Sequence, residues 1–152
     1  MILRLTQQMP KQICVQGQTL FQTTDQGTVL LSFEGGVSVR IFASWLYPFK
    51  QQSLIVSGSL GFLVLDDTQP PSQKLCFYNH RMEGALPHLI PGSKEYLHFE
   101  WSEPLLNECK HFLECIQTGL QPRTNAYEGL AVCKVLDQID QALIVSEKDK
   151  IV

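Results

Sequence analysis

The stretch Val29–Asp67, VLLSFEGGVSVRIFASWLYPFKQQSLIVSGSLGFLVLDD, decides the fold of this chain. It holds four apolar runs; Glu34-Gly35-Gly36 separates the first two, and Gly58-Ser59-Leu60-Gly61 separates the last two. Glycine adopts the positive φ that tight turns need, so each pair of runs is predicted to form a β-hairpin. The whole stretch is therefore predicted to be four consecutive antiparallel strands, a β-meander.

The strand after the first turn predicts a sheet with two different faces. Side chains alternate between the faces along a strand. One face then collects only apolar residues, namely Val37, Val39, Ile41, Ala43 and Trp45. The other face mixes polar residues with Phe42 and Leu46, which is too apolar for a fully solvated face. We expect helices to pack on the first face, and the second face to be available for oligomerisation.

Composition excludes several classes of protein. The chain has 152 residues, of which 44% are hydrophobic and 18% are charged, as expected for one soluble globular domain rather than a membrane or disordered protein. The net charge is -3, and basic residues neither outnumber the acids nor cluster, so nucleic-acid binding is not expected.

The five cysteines predict a reducing compartment. Their number is odd, they form no Cys-x-x-Cys motif, and no export signal precedes them, so we expect a cytoplasmic protein with free thiols. Cys109 and Cys133 fall on apolar faces of predicted helices and are expected to be small buried hydrophobes.

The flanking segments add short elements. Met1–Met9 is predicted to be the end of a helix that Pro10 stops, Lys11–Val15 a strand, and Gln16–Gly27 a strand edge or loop. Two further strands are predicted at Lys74–Asn79 and Glu95–Trp101, with an irregular connection over His80–Ser93 between them.

Two helices are predicted at the C-terminal end. Ser102 is expected to cap the first, which has Pro104 in its first turn and Gly119 at its end. Asn125 and Glu128 have capping-box spacing at the start of the second. Two apolar stripes follow helical periodicity: Leu105, Leu106, Cys109, Phe112, Leu113 and Ile116, then Ala126, Leu130, Cys133, Leu136, Ile139 and Leu143.

Strands first and helices afterwards favour an α+β domain over alternating βαβ units. We predict a single domain over residues 1–152, with a mainly antiparallel sheet of five to six strands and the C-terminal helices packed on one face.

Residues that carry chemistry are sparse. Gly58-Ser59-Leu60-Gly61 connects two strands, so it is predicted to be a hairpin turn rather than a phosphate-binding loop. The four histidines lack metal-ligand spacing, so no metal site is predicted, and His98 and His111 are expected at or near the surface. Asp66-Asp67 could serve acid-base chemistry or bind a cation, but turn chemistry is favoured.

Several motifs in this order resemble the C-terminal domain of the Gfo/Idh/MocA family of NAD(P)-dependent oxidoreductases, most of all the nucleotide-sugar branch. They are Ser44-Trp45-Leu46-Tyr47-Pro48-Phe49-Lys50, Val56-x-Gly58-x-x-Gly61, Asp66-Asp67-Thr68, Glu103-Pro104-Leu105-Leu106-Asn107-Glu108, His111-Phe112-Leu113 and Glu128-Gly129-Leu130. The resemblance extends from Met1 to about Leu143.

The resemblance implies one half of a two-domain enzyme. Family members bind NAD(P) in an N-terminal Rossmann domain, take a catalytic lysine from a Glu-Lys-Pro motif, and add an aspartate and a histidine from the helix that opens the second domain. None of these is found in this sequence, and residues 1–9 resemble the remnant of that helix. We therefore expect no catalytic residue and no cofactor-binding residue here; NAD(P) would require the missing domain.

Lys50, Trp45 and Tyr47 are the expected substrate-binding residues. Lys50 could pair with an anionic sugar or a phosphate, and aromatic faces suit sugar rings. For Trp45, which continues the apolar side of its strand, core packing is the favoured alternative.

Two functions are compatible with these observations. The first is the substrate-binding and oligomerisation half of a sugar or nucleotide-sugar dehydrogenase, inactive alone, whose expected partners are a second copy or a separate Rossmann half. The second is a free-standing, non-catalytic dimerisation module derived from that family, with the apolar second face as its interface.

Overall fold

The computed structural model describes residues 1–21, 24–83, 88–90 and 92–148. The helices in this part are α1 (Ile2–Thr6), α2 (Pro104–Thr118) and α3 (Ala126–Lys148). The strands are β1 (Gln12–Thr19), β2 (Thr24–Ser32), β3 (Ser38–Ser44), β4 (Ser53–Gly58), β5 (Gly61–Asp66), β6 (Leu75–Tyr78), β7 (Arg81–Glu83), β8 (His88–Ile90) and β9 (Lys94–Tyr96). The chain divides into two compact units, residues 1–47 with 111–152, and residues 48–110.

The first unit contains a three-stranded antiparallel sheet in the order β1-β2-β3. Leu31 of β2 lies opposite Ile13 of β1 and Val39 of β3, so these three side chains share one face. Leu31 is 2% exposed, and Phe33 and Val135 are also buried. The apolar face predicted from the alternation is therefore the one that carries the core, although Val37 and Trp45 at its ends are exposed.

Helix α3 packs on β1. The side chains on its packed face are Ala131, Val135, Ile139, Ala142 and Leu143. The predicted stripe is therefore wrong for four of its members, which are exposed: Ala126, Leu130, Cys133 and Leu136. Gly17 allows the close approach, since a Cβ there would lie 2.7 Å from Leu143 Cδ2.

Helix α2 has the predicted bounds but not the predicted burial. Pro104 is its first residue, and Gly119 follows it with φ +70°. The cap is Glu103, whose carboxylate accepts the Leu106 N–H at 2.7 Å, rather than the predicted Ser102. All six apolar stripe residues of α2, from Leu105 to Ile116, are exposed.

The second unit contains a four-stranded antiparallel sheet in the order β4-β5-β6-β9. Gly58 pairs with Gly61 across the predicted hairpin turn, which is confirmed. Gly61 has φ +142°, and a Cβ on it would lie 2.2 Å from the Tyr78 carbonyl oxygen of β6, so only glycine fits.

The α+β, antiparallel class is confirmed, but the strands are distributed differently from the prediction. The hairpins β2–β3 and β4–β5 form as expected. However, β3 and β4 belong to separate sheets, so the single four-strand meander and the single sheet of five to six strands are wrong. The break falls at residues 46–52, which belong to neither β3 nor β4.

Several element boundaries also differ. The strand predicted over Lys11–Val15 continues to Thr19, and β2 begins at Thr24, so much of Gln16–Gly27 is regular strand. The strand predicted over Glu95–Trp101 stops at Tyr96, and α1 stops at Thr6 rather than Met9, because Gln7 takes a left-handed conformation.

The connection predicted as irregular over His80–Ser93 contains the paired strands β7 and β8. Gly84, Pro87 and Pro91, which motivated that prediction, lie outside the described residues. None of the described helices is long and apolar enough to cross a membrane.

Candidate functional site

Two of the predicted substrate residues belong to two separate exposed aromatic pairs in the first unit. The Trp45 ring centroid lies 6.4 Å from that of Phe21, and the Tyr47 centroid lies 5.8 Å from that of Phe42. Trp45 is 67% exposed and Tyr47 45%. The favoured alternative of core packing for Trp45 is therefore wrong, and its ring face remains accessible to a ligand.

A buried carboxylate holds the backbone next to the Phe21–Trp45 pair. Asp25 is 1% exposed, and its Oδ2 accepts the N–H groups of Leu20 at 2.7 Å and Phe21 at 2.9 Å. The Trp45 N–H donates to the Asp25 carbonyl at 3.3 Å. Asp25 thus fixes the backbone beneath both the Phe21 and Trp45 rings.

Sequence reasoning missed Asp25. It is an isolated acid in the glutamine- and threonine-rich stretch Gln16–Gly27, which the sequence predicts to be a strand edge or loop. The available signal was that Asp and Asn accept backbone N–H groups in turns, and Asp25 follows a Thr-Thr pair at the start of β2.

The third predicted residue, Lys50, lies in a charge network of the second unit. Its Nζ is 3.2 Å from Asp67 Oδ2, and Lys74 Nζ is 2.6 Å from Asp67 Oδ1. Hydrogen bonds from Lys74 and then Lys50 lower the pKa of the Asp67 carboxyl. The side chain of Lys50 is 67% exposed, so its ammonium group is accessible while it is paired.

Asp66 has a different role from its neighbour. Its Oδ1 accepts the Thr68 N–H at 2.9 Å and the Thr68 hydroxyl at 2.6 Å, and these bonds lower the pKa of the Asp66 carboxyl. The interpretation of Asp66-Asp67 as turn chemistry is therefore confirmed for Asp66, whereas Asp67 is the centre of an ion-pair network.

The structure assigns Trp45 and Tyr47 to the first unit and Lys50 to the second. Each residue is exposed in its own unit. Their action as one substrate site stays a prediction.

One cysteine–histidine contact occurs in the described part of the chain, where Cys115 Sγ lies 3.6 Å from His111 Nε2. His98 is exposed and His111 is half-buried, in agreement with the prediction that both lie at or near the surface. The Nε2 atom of His111 accepts the Arg123 N–H at 3.0 Å. Cys109 and Cys133 are exposed rather than buried, because the helical faces that carry them are not packed. Among the described residues, no three His, Cys, Asp or Glu side chains could share a metal ion.

The described residues do not fit a nicotinamide dinucleotide. Such a cofactor needs a glycine-rich turn from a parallel strand into a helix N-terminus. The nearest sequence, Gly58–Gly61, instead joins two antiparallel strands.

Comparisons with known proteins agree with this architecture. Residues 1–64 match the model of the GFO/IDH/MocA C-terminal domain. Two solved structures of the UDP-N-acetylglucosamine 3-dehydrogenase GnnA from Acidithiobacillus ferrooxidans, in two crystal forms, share the fold with TM-scores of 0.76 and 0.73 at 17% and 16% identity. No curated protein sequence matches the chain.

The resemblance of this chain to the C-terminal domain of the Gfo/Idh/MocA family is thereby confirmed. Each GnnA match covers 93% of this chain, but only 43% and 42% of the GnnA chain. The chain thus spans less than half the length of the solved structures that it matches.

Proposed function

We propose that this chain is the substrate-binding and oligomerisation domain of an NAD(P)-dependent sugar or nucleotide-sugar oxidoreductase. The observation that carries the proposal is the agreement in fold, over 93% of the chain, with a UDP-N-acetylglucosamine 3-dehydrogenase. A Rossmann domain, on the same or a separate polypeptide, would supply the cofactor and the catalytic residues. All five cysteines are free thiols, which supports a reducing, cytoplasmic location.

Trp45, Tyr47 and Lys50 are the proposed substrate contacts. The two aromatic rings are accessible and can cover a sugar ring, while the Lys50 ammonium group can pair with a phosphate. Asp67 orients Lys50 without burying it, so the charge is held in place before a ligand arrives.

Titration of the chain with UDP-N-acetylglucosamine tests these contacts. One ring contact contributes on the order of 1 kcal/mol, so Trp45→Ala should weaken binding about fivefold. Lys50→Ala should weaken binding without changing the melting temperature, and the exposed Lys134→Ala serves as the matched control. Equal affinities for all variants would contradict the assigned site. Tight binding of NAD(H) by this chain alone would contradict the domain assignment.

The oligomerisation role is supported by apolar surface on both sheets. In the first unit, Cys14, Leu30 and Phe42 are exposed on the face opposite the core. In the second unit, Leu54, Leu65 and Leu75 form one row across the sheet and are only half-buried. Such open faces typically pair with a second copy.

A free-standing dimerisation module is the second candidate, favoured by the same open faces. Light scattering combined with the sugar titration separates the two functions. A dimer that binds the nucleotide sugar supports the oxidoreductase domain, and a dimer without ligand binding supports the module. A strict monomer would contradict both assignments of the open faces.

A further inference from the structure

A shallow cavity of about 240 Å³ lies on one face of the β4-β5-β6-β9 sheet, away from the row of leucines. The register of the strands explains the position of this cavity. Val64, Cys76 and Tyr96 lie opposite one another on three neighbouring strands, so their side chains share this face. Cys76 is small and 5% exposed, and it forms the floor between larger neighbours.

One end of this groove carries a cation without an acidic partner. Lys94 Nζ lies 4.5 Å from the Tyr96 ring centroid and 5.7 Å from that of Tyr78. No described carboxylate lies within 4.0 Å of it, in contrast to Lys74 at the other end, which pairs with Asp67. Aromatic faces orient the Lys94 ammonium group but do not neutralise it, so it attracts an anion.

The other end presents groups that bind hydroxyls. Asp66 Oδ1 is occupied by Thr68, but Oδ2 accepts only the Gln69 side-chain amide, at 3.1 Å, among the described contacts. A carboxylate oxygen has two lone pairs, so Oδ2 can accept a further hydroxyl donor. Because Asp66 is a charged acceptor, a neutral hydroxyl suits it and a second anion does not.

The distance between the two ends of the groove limits the size of the ligand. Lys94 is two strands from Asp66 and about four residues further along, or roughly 10 Å across and 13 Å along the sheet between the Cα atoms. Both residues line the groove, and the Lys94 side chain reaches the Tyr96 ring, which shortens this gap. The volume is below the about 300–1,000 Å³ of sites for drug-sized ligands, which corresponds to a ligand with a single ring.

We propose that this groove binds an anionic monosaccharide, a sugar acid or a sugar phosphate. Lys94 binds the carboxylate or phosphate, Tyr96 and Tyr78 border the ring, and Asp66 with Gln69 accepts and donates hydrogen bonds to ring hydroxyls. The site lies within residues 48–110, does not include Trp45, Tyr47 or Lys50, and does not depend on the proposed oxidoreductase function.

The test is an amide NMR titration of the full chain with glucuronate, glucose 6-phosphate, glucose and inorganic phosphate. The first two should shift the amides of Cys76, Tyr78, Lys94 and Tyr96, and the last two should bind at least tenfold more weakly. Binding of one anionic sugar alone would identify whether the carboxylate or the phosphate is the natural group, and would support the site.

Variants assign the binding to Lys94. Lys94→Met keeps the length of the side chain and removes its charge, so it should weaken binding of the anionic sugars at least tenfold. Lys94→Arg should retain most of the binding, and the exposed Lys110→Met is the matched control. If Lys94→Met unfolds, the Arg variant and Tyr96→Phe carry the test.

Three results would overturn the proposal: glucose binding as tightly as glucuronate, phosphate binding as tightly as glucose 6-phosphate, or no shift at these amides with any probe. Failure of the Trp45 and Lys50 titration leaves this test unaffected, so the two proposals can fail separately.

Discussion

The substitution Gly61→Ala should destabilise the second unit strongly. A residue other than glycine at φ +142° carries a backbone strain of about 1–3 kcal/mol. The added Cβ would also lie 2.2 Å from the Tyr78 carbonyl oxygen, so β6 has to move away from β5. Losing one or two hydrogen bonds beside the Phe62–Tyr78 pair costs about 1 kcal/mol each. The expected loss in the free energy of unfolding is about 2–5 kcal/mol.

Gly58→Ala is the matched control, because it lies across the same turn. Its φ is not positive, and the nearest atom to an added Cβ is 3.9 Å away, so its cost should stay within about 1 kcal/mol. Urea denaturation measures both, and hydrogen exchange at the amides of β5 and β6 localises the loss. Similar losses for the two variants, or a loss below about 1 kcal/mol for Gly61→Ala, would refute the steric argument.

Three further predictions concern other elements. Leu31→Ala should lower the free energy of unfolding by about 3 kcal/mol, since Leu31 is 2% exposed, whereas Leu130→Ala, at an exposed position of α3, should change it little in the same urea titration. Asn125→Ala should cost about 1 kcal/mol, because its Oδ1 accepts the N–H groups of Tyr127 and Glu128, and circular dichroism should show the lost helix; no change would exclude the cap. The pKa values of the Asp66 and Asp67 carboxyls lie below the usual 3.8, so their contribution to the free energy of unfolding is present above pH 3.8 and is lost as the pH falls through the lowered pKa. The chemical shift of the Thr68 amide should follow this transition.

The local elements of this fold could be predicted because local residues determine them. The glycines at the two hairpin turns, Pro104 at a helix start and Gly119 at its end each act within a few positions of the chain. These predictions were confirmed.

Strand partners could not be predicted in the same way. Period-2 alternation assigns a face to each residue but does not say which strand lies alongside, so the separation of β3 from β4 left no local signal. Helix α3 is apolar around much of its circumference, and for this reason its periodicity did not distinguish the packed Val135 from the exposed Leu136.

The candidate site was predicted only in part. Residue type identified Trp45, Tyr47 and Lys50 as suitable for a sugar, and exposure is consistent with that choice. The groove around Lys94 depends on which strands are neighbours, so it became evident only in three dimensions, whereas the Asp25 hydrogen bonds to Leu20 and Phe21 are local and had a signal in the sequence.

The pairing of β1 with α3 has a consequence for synthesis of the chain. Residues 48–110 interrupt the first unit in sequence, and the helix that covers β1 begins only at Ala126. At about 5–20 residues per second, the sheet leaves the ribosome several seconds before its covering helix. During this interval Ile13, Val15 and Val29 are uncovered. A nascent chain stalled near Lys110 should therefore bind chaperones, and a chain long enough for α3 to emerge should be released from them.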